Sequence, residues 1–260
     1  MRYKASLLLL FSVLVLVACQ GQETAPAISS PVVQVEQATN TIVAVPETPE
    51  VLEPTVTIAV PTATEEGFTP DVRLNEGFEG TETCLETFER VEASAFVFEG
   101  RLIVDAISPE TIVLSKCESL VAGDFVLEVD ASVLEAPEEA PYYYGLTFRV
   151  SGEERYNFVI GSVGGFCAFF ATGDGLIHLT NSTDFETNCW ALPPADVFKE
   201  DSNNLRVVAV DDRLDFFIND VLMAVVRDNR LTEGNVGFIV TSGVDGGVRV
   251  AFDNLRVLRP

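Results

Sequence analysis

The chain has 260 residues, with 40 Asp and Glu against 16 Lys and Arg and a formal net charge of −24, a field that repels phosphate backbones and anionic head groups. No basic stripe interrupts this acidity, which argues against nucleic acid as a partner. With one histidine and no Cys-x-x-Cys spacing, the chain also lacks the usual zinc-binding pattern.

In chain order the first element is a leader. Arg2 and Lys4 precede an apolar run that closes on Leu16-Val17-Ala18-Cys19. A charged start, an apolar stretch and small residues before the cut site mark an export signal, so residues 1–18 are read as a signal peptide. The four residues resemble the lipobox of bacterial lipoproteins. That resemblance implies cleavage before Cys19, a lipid on its sulfur, and a mature chain anchored in the cell envelope, facing outside the cytoplasm. Losing Arg2 and Lys4 leaves 14 basic residues against 40 acidic ones and raises the net negative charge to −26. No later segment approaches the roughly 20 apolar residues a spanning helix needs, so the membrane is expected as a partner through the lipid alone.

Residues 19–70 read as a tether. They hold seven of the thirteen prolines, nine threonines, seven glutamates, one aromatic residue (Phe68) and no Lys or Arg, a composition that cannot bury a core and favours extension. Three aliphatic patches, Val32–Val35, Ile42–Val45 and Val56–Val60, are the exceptions, and prolines separate them.

From Asp71 to Pro260 the pattern changes to aromatic residues and period-two alternation, which suits one β domain. Phe125, Leu127 and Val129 fall on one strand face, with Glu128 and Asp130 on the other. Strands are likewise predicted over 144–150, 156–160, 205–210, 236–240 and 248–257. The clearest hairpin joins 213–218 to 221–226 through Asn219-Asp220, two residues that tolerate the positive φ of a tight hairpin turn. No long 3.6-residue apolar period appears, so the fold class is all-β, a two-sheet antiparallel sandwich.

The blocks Tyr144–Arg149, Tyr156–Phe158, Asn204–Val207, Phe216–Asn219, Gly234–Phe238 and Phe252–Val257 resemble concanavalin A-like jelly-roll domains. They look like the laminin G-like and 3-keto-disaccharide hydrolase branch. Asn75–Gly80 resembles an opening strand of the same fold. The resemblance implies a sandwich and a tendency toward glycans, since jelly rolls host many functions.

The candidate chemistry is sparse. Four cysteines besides Cys19 sit in an exported domain, where disulfides are the default. Spacing alone allows three pairings, and the sequential one, Cys84 with Cys117 and Cys167 with Cys189, is the simplest. His178 is expected on a strand, and no Gly-x-Ser-x-Gly elbow accompanies it. Glu128-Val129-Asp130 looks like part of the laminarinase Glu-x-Asp-x-(x)-Glu strand, but Ser132 and Val133 stand where a third acid belongs. Sugar rings need aromatic platforms with polar groups beside them, and Trp190, Tyr143, Tyr142 and Arg149 are the candidates. Trp190, next to Cys189, also suits packing on a disulfide. Asp253, in the block most like the family, with Glu79 upstream, is the candidate pair for a structural calcium. A cap on nearby backbone amides is the alternative for Asp253.

The resulting expectation is an anchored surface lipoprotein whose domain binds carbohydrate without turning it over. A glycan or keto-sugar hydrolase and a protein-contact or adhesion module are the alternatives.

Overall fold

A computed structural model of the chain describes residues 71–80, 82–180 and 189–260. The expected signal peptide, Cys19 and the expected tether with its aliphatic patches lie outside the described residues.

The described residues form fifteen strands and no helix. The strands are β1 (Val72–Glu76), β2 (Phe88–Glu89), β3 (Ala93–Phe98), β4 (Arg101–Ala106), β5 (Ile112–Ala122), β6 (Phe125–Glu135), β7 (Tyr143–Ser151) and β8 (Glu154–Gly161), followed by β9 (Phe166–Thr172), β10 (Gly175–His178), β11 (Asn203–Val210), β12 (Arg213–Ile218), β13 (Val221–Arg227), β14 (Gly234–Thr241) and β15 (Val248–Leu258). One sheet runs β13-β12-β11-β6-β15-β4-β3-β2, with β1 also paired to β15. The other runs β10-β9-β8-β7-β14-β5. All pairings are antiparallel, and the two sheets face each other as a jelly-roll sandwich.

Alternation explains the first sheet. On β6, Phe125, Leu127, Val129 and Ala131 are wholly buried, while the residues between them are half-exposed. The β12–β13 hairpin turns at Asn219 and Asp220, both at positive φ (48° and 66°), as the sequence predicts. The Asn219 side chain adds to the turn by accepting from Asn204 N–H at 2.9 Å and donating to the Val197 carbonyl at 2.7 Å.

The central strands of the second sheet, β7, β8, β9 and β14, are buried on both faces. Every residue from Phe166 to Ala171 on β9 is buried, so this strand reads as a continuous apolar run in which period-two alternation is invisible. Its inner face meets the first sheet through aromatic rings that cross the sandwich. Phe238 on β14 stacks on Phe252 of β15 with centroids 4.1 Å apart, Phe158 meets Phe216 at 4.9 Å, and Phe148 meets Phe125 at 5.9 Å. Its outer face carries a smaller cluster of Val159, Cys167, Phe169, Ala171, Cys189 and Ile239, with Tyr143 and Trp190 packed against it.

The cysteines pair sequentially, Cys84 with Cys117 and Cys167 with Cys189. Such bonds persist in oxidising compartments, so the domain belongs outside the cytoplasm.

Candidate functional site

At one end of the sandwich the chain builds an aromatic hollow. Trp190 is fixed from both sides along the backbone. Before it, Cys189 is bonded to Cys167 on β9. After it, Ala191 exchanges two backbone hydrogen bonds with Phe166, at 2.8 and 2.9 Å. Thr180 tightens the same segment, donating to the Cys189 carbonyl at 2.8 Å while accepting from Ala168 N–H at 3.0 Å. The indole then lies over the β8–β9 turn, where Gly161 and Gly165 leave room for it.

Tyr143 opens β7 on the outer face, its ring 6.0 Å from Trp190 and 6.2 Å from Phe169. Its backbone is clamped by Thr241 on β14, whose hydroxyl accepts from Tyr143 N–H at 3.1 Å and donates to its carbonyl at 3.2 Å. Tyr142 precedes the strand and is tied to Ser162. Tyr142 N–H donates to Ser162 Oγ at 3.2 Å, and Ser162 N–H donates to the Tyr142 carbonyl at 3.0 Å.

Tyr142, Tyr143 and Trp190 therefore line one open hollow of about 450 Å³, with Glu110, Ser162 and Val244 at its edges. Burial pushes both phenols up from their ordinary value, and a phenol hydroxyl can donate to a ligand oxygen. A second hollow of about 240 Å³ adjoins it through Tyr142 and Ser162 and brings in Lys199, Glu200 and Asp201. Trp190 thus serves both expectations, packing in the cluster that holds the disulfide and lining the hollow.

Sequence reasoning missed Glu110. It sits at φ 52° in the turn between β4 and β5, an unusual conformation for a glutamate, and its N–H donates to the Gly243 carbonyl at 2.8 Å. The Ser242 hydroxyl links the same two turns, accepting from Thr111 N–H at 3.0 Å and donating to the Ser108 carbonyl at 2.6 Å. The only sequence signal was the Ser108-Pro109-Glu110 turn chemistry, which says nothing about which distant turn it meets.

Arg149 leaves the ligand set, a correction with a clear cause. Its side chain is 0% exposed, and its guanidinium donates to three loop carbonyls, Gly123 at 3.1 Å, Leu231 at 3.0 Å and Asp211 at 2.9 Å. It sits within a bulge in β7 between Phe148 and Ser151, at φ 47°, where the alternation that would have turned it outward is broken. Arg149 fastens three loops together and presents no donor to solvent.

The residues proposed for calcium do not form a donor cluster. Among the described residues there is no group of three or more His, Cys, Asp or Glu placed to hold a metal ion. Asp253 accepts from Asn254 N–H at 2.7 Å, the capping role its sequence also allowed, and Glu79 is exposed.

Glu128 and Asp130 lie on the outer face of the larger sheet, each already engaged. Asp130 accepts from Asn204 Nδ2 and from Asn254 Nδ2, both at 2.9 Å. Glu128 is paired with Arg256. His178 ends the edge strand β10 and is exposed.

No family model matches the chain, and no curated protein matches it. Among solved structures it is similar to a Bacillus subtilis protein of unknown function with a galectin-like fold, at 12% identity over 73% of this chain and 98% of that one, with a TM-score of 0.52. It is similar to the catalytic domain of an endo-1,3-beta-glucanase (laminarinase) from Thermotoga petrophila, at 11% identity over 73% and 98% of the two chains, with a TM-score of 0.51. The laminarinase from Rhodothermus marinus follows at 10% identity, 74% and 99% coverage and a TM-score of 0.50. These likenesses concern the fold, a concanavalin-like and galectin-like jelly roll.

Proposed function

We propose that this chain is a surface lipoprotein, anchored through Cys19 and held out on the 19–70 tether, whose 71–260 jelly roll binds carbohydrate without turning it over. The observation that carries the reading is the hollow at the end of the sandwich. Tyr142, Tyr143 and Trp190 line it, with hydroxyls and one carboxylate around them. Aromatic faces pack on the C–H faces of sugar rings, and hydroxyls and carboxylates read ring hydroxyls, so this is the group chemistry a saccharide requires. The laminarinases of the same fold act on β-1,3-glucan, which makes glucans the first ligands to try. A binding role is favoured over hydrolysis because the strand acids Glu128 and Asp130 are held by amide and guanidinium donors.

The test is a glycan array probed with the full chain, followed by titration of any glycan it retains. Trp190→Ala and Tyr143→Ala should weaken binding by the folded protein by about 1–3 kcal/mol, with melting temperature measured alongside because both rings also pack on the outer-face cluster. Unchanged affinity in both variants would remove the hollow from consideration. Binding to no glycan at all would favour the protein-contact role. The anchor has its own test, since a palmitate analogue should label the wild type and not Cys19→Ala.

A further inference from the structure

Another hollow, of about 680 Å³, opens on the other sheet, at the edge formed by β2. Its floor is a polar row crossing three strands. Ser94 on β3 donates its hydroxyl to Asp105 Oδ2 on β4 at 3.0 Å. Arg249 on β15 donates to the same carboxylate twice, from Nε to Oδ1 at 2.7 Å and from Nη2 to Oδ2 at 3.1 Å. Ser94 and Asp105 are each only 5% exposed, so this arrangement is set into the sheet and not draped over it. The Arg249 side chain is 45% exposed, and its Nη1 makes a longer ion pair with Glu135 at 3.7 Å, short of a hydrogen bond.

The wall is aromatic. Phe96 rises from β3 at 38% exposure, and on the β2 side the Arg90 guanidinium lies 4.8 Å over the Phe88 ring. Two features point to a ligand. First, a paired buried carboxylate adds little net stability over an apolar replacement, so folding alone does not explain Asp105 at the base of an open hollow. Second, the hollow is charge-balanced, Arg90 and Arg249 against Glu89 and Asp105, in a chain whose net charge is −24. An oriented donor and acceptor set, no net charge and a flanking aromatic face together suit an uncharged ligand rich in hydroxyls.

We propose that this hollow is a second saccharide site, for a neutral sugar. Phe96 would pack on the ring while Arg249 and the Ser94–Asp105 pair read hydroxyls. The proposal shares only its ligand class with the hollow around Trp190, and the two lie on different sheets with no lining residue in common.

The experiment is calorimetric titration of the full chain with laminarihexaose and, separately, cellohexaose, for the wild type, Phe96→Ala, Arg249→Lys and Trp190→Ala, with melting temperatures recorded alongside. The expected result is two equivalents bound by the wild type and one by Phe96→Ala or by Trp190→Ala. Arg249→Lys keeps the charge but not the paired hydrogen bonds, and should weaken one of the two sites at least tenfold. One equivalent in the wild type that survives in Phe96→Ala and vanishes in Trp190→Ala would overturn the second site and leave the first standing. One equivalent that survives in Trp190→Ala and vanishes in Phe96→Ala would support the second site and overturn the first. Two equivalents in both Phe96→Ala and Arg249→Lys, or no binding of either oligosaccharide by the wild type, would overturn the proposal.

Discussion

Trp190 rests directly on Gly161: a Cβ built on that glycine would stand 2.7 Å from both Cη2 and Cζ3 of the indole. The hollow beside Tyr143 depends on this contact, because the strand end can approach the ring only where no side chain intervenes.

Gly161→Ala should therefore push the indole off its seat while leaving both sheets intact. Trp190 is the single tryptophan of the chain, so its fluorescence reports on this site alone. We expect a shifted emission maximum, a stability loss of about 1–3 kcal/mol from overpacking, and weaker glycan binding. An unaltered emission spectrum would show that the ring does not sit on the glycine.

The disulfide preceding Trp190 closes a loop with a sequence separation of 22, and Cys84–Cys117 one of 33. Replacing either pair by serines should lower stability by about 3–4 kcal/mol in denaturant unfolding. Only the Cys167→Ser, Cys189→Ser double variant should also change the fluorescence of Trp190. Equal spectral effects from both pairs would mean that the second bond has no special hold on the indole.

Arg149→Met should be among the most damaging substitutions in the domain. It leaves the Gly123, Leu231 and Asp211 carbonyls without their shared donor inside a site from which water is excluded. A loss of about 3–5 kcal/mol in urea unfolding is expected, with ligand affinity of the surviving folded fraction unchanged. A loss under about 1 kcal/mol would mean that the three loops hold together without it.

Alkaline pH should unfold the domain ahead of any general charge effect. Burial pushes the Tyr144 phenol up to about 12, against a hydrogen bond with Asn203 that lowers it. Tyr156 is pushed to about 12 by burial and by donating its hydroxyl to Asp228 at 2.6 Å. Both folded values lie above the unfolded one. Their stabilisation is thus fully present below pH 10 and is lost as pH rises from there toward 12, the unfolded chain ionising first. Two units correspond to about 3 kcal/mol for each phenol. Urea midpoints at pH 8, 9.5 and 11 should fall only over the last interval, and Tyr156→Phe should shallow the fall.

Glu128→Gln combined with Asp130→Asn should leave glycan binding intact, because both acids lie on the outer face of the larger sheet, away from the Trp190 hollow. Purified protein should release no reducing ends from laminarin before or after the change. Release by the wild type that the double variant abolishes would reinstate the hydrolase.

Much of the architecture was legible in the chain because one sheet has one wet face. Period-two alternation over Phe125–Val129 and the turn-forming Asn219-Asp220 located β6 and the β12–β13 hairpin, since side-chain period and positive φ are local properties. Sequential cysteine pairing was the simplest of the three arrangements that spacing left open, and the structure selects it. The buried strand β9 was not, because burial on both faces erases alternation. Arg149 was misread for a related reason: a bulge shifts the register of β7 and turns an expected surface arginine into a buried loop fastener. The sites were the least legible. Glu110 lies 80 positions from Trp190 in sequence, and Ser94 lies 155 from Arg249, yet each pair borders one hollow. Residue types and strand periods come from the chain itself. Which turns meet at the end of the sandwich, and which side chains share a row across three strands, came only from the order in which the sheets pair.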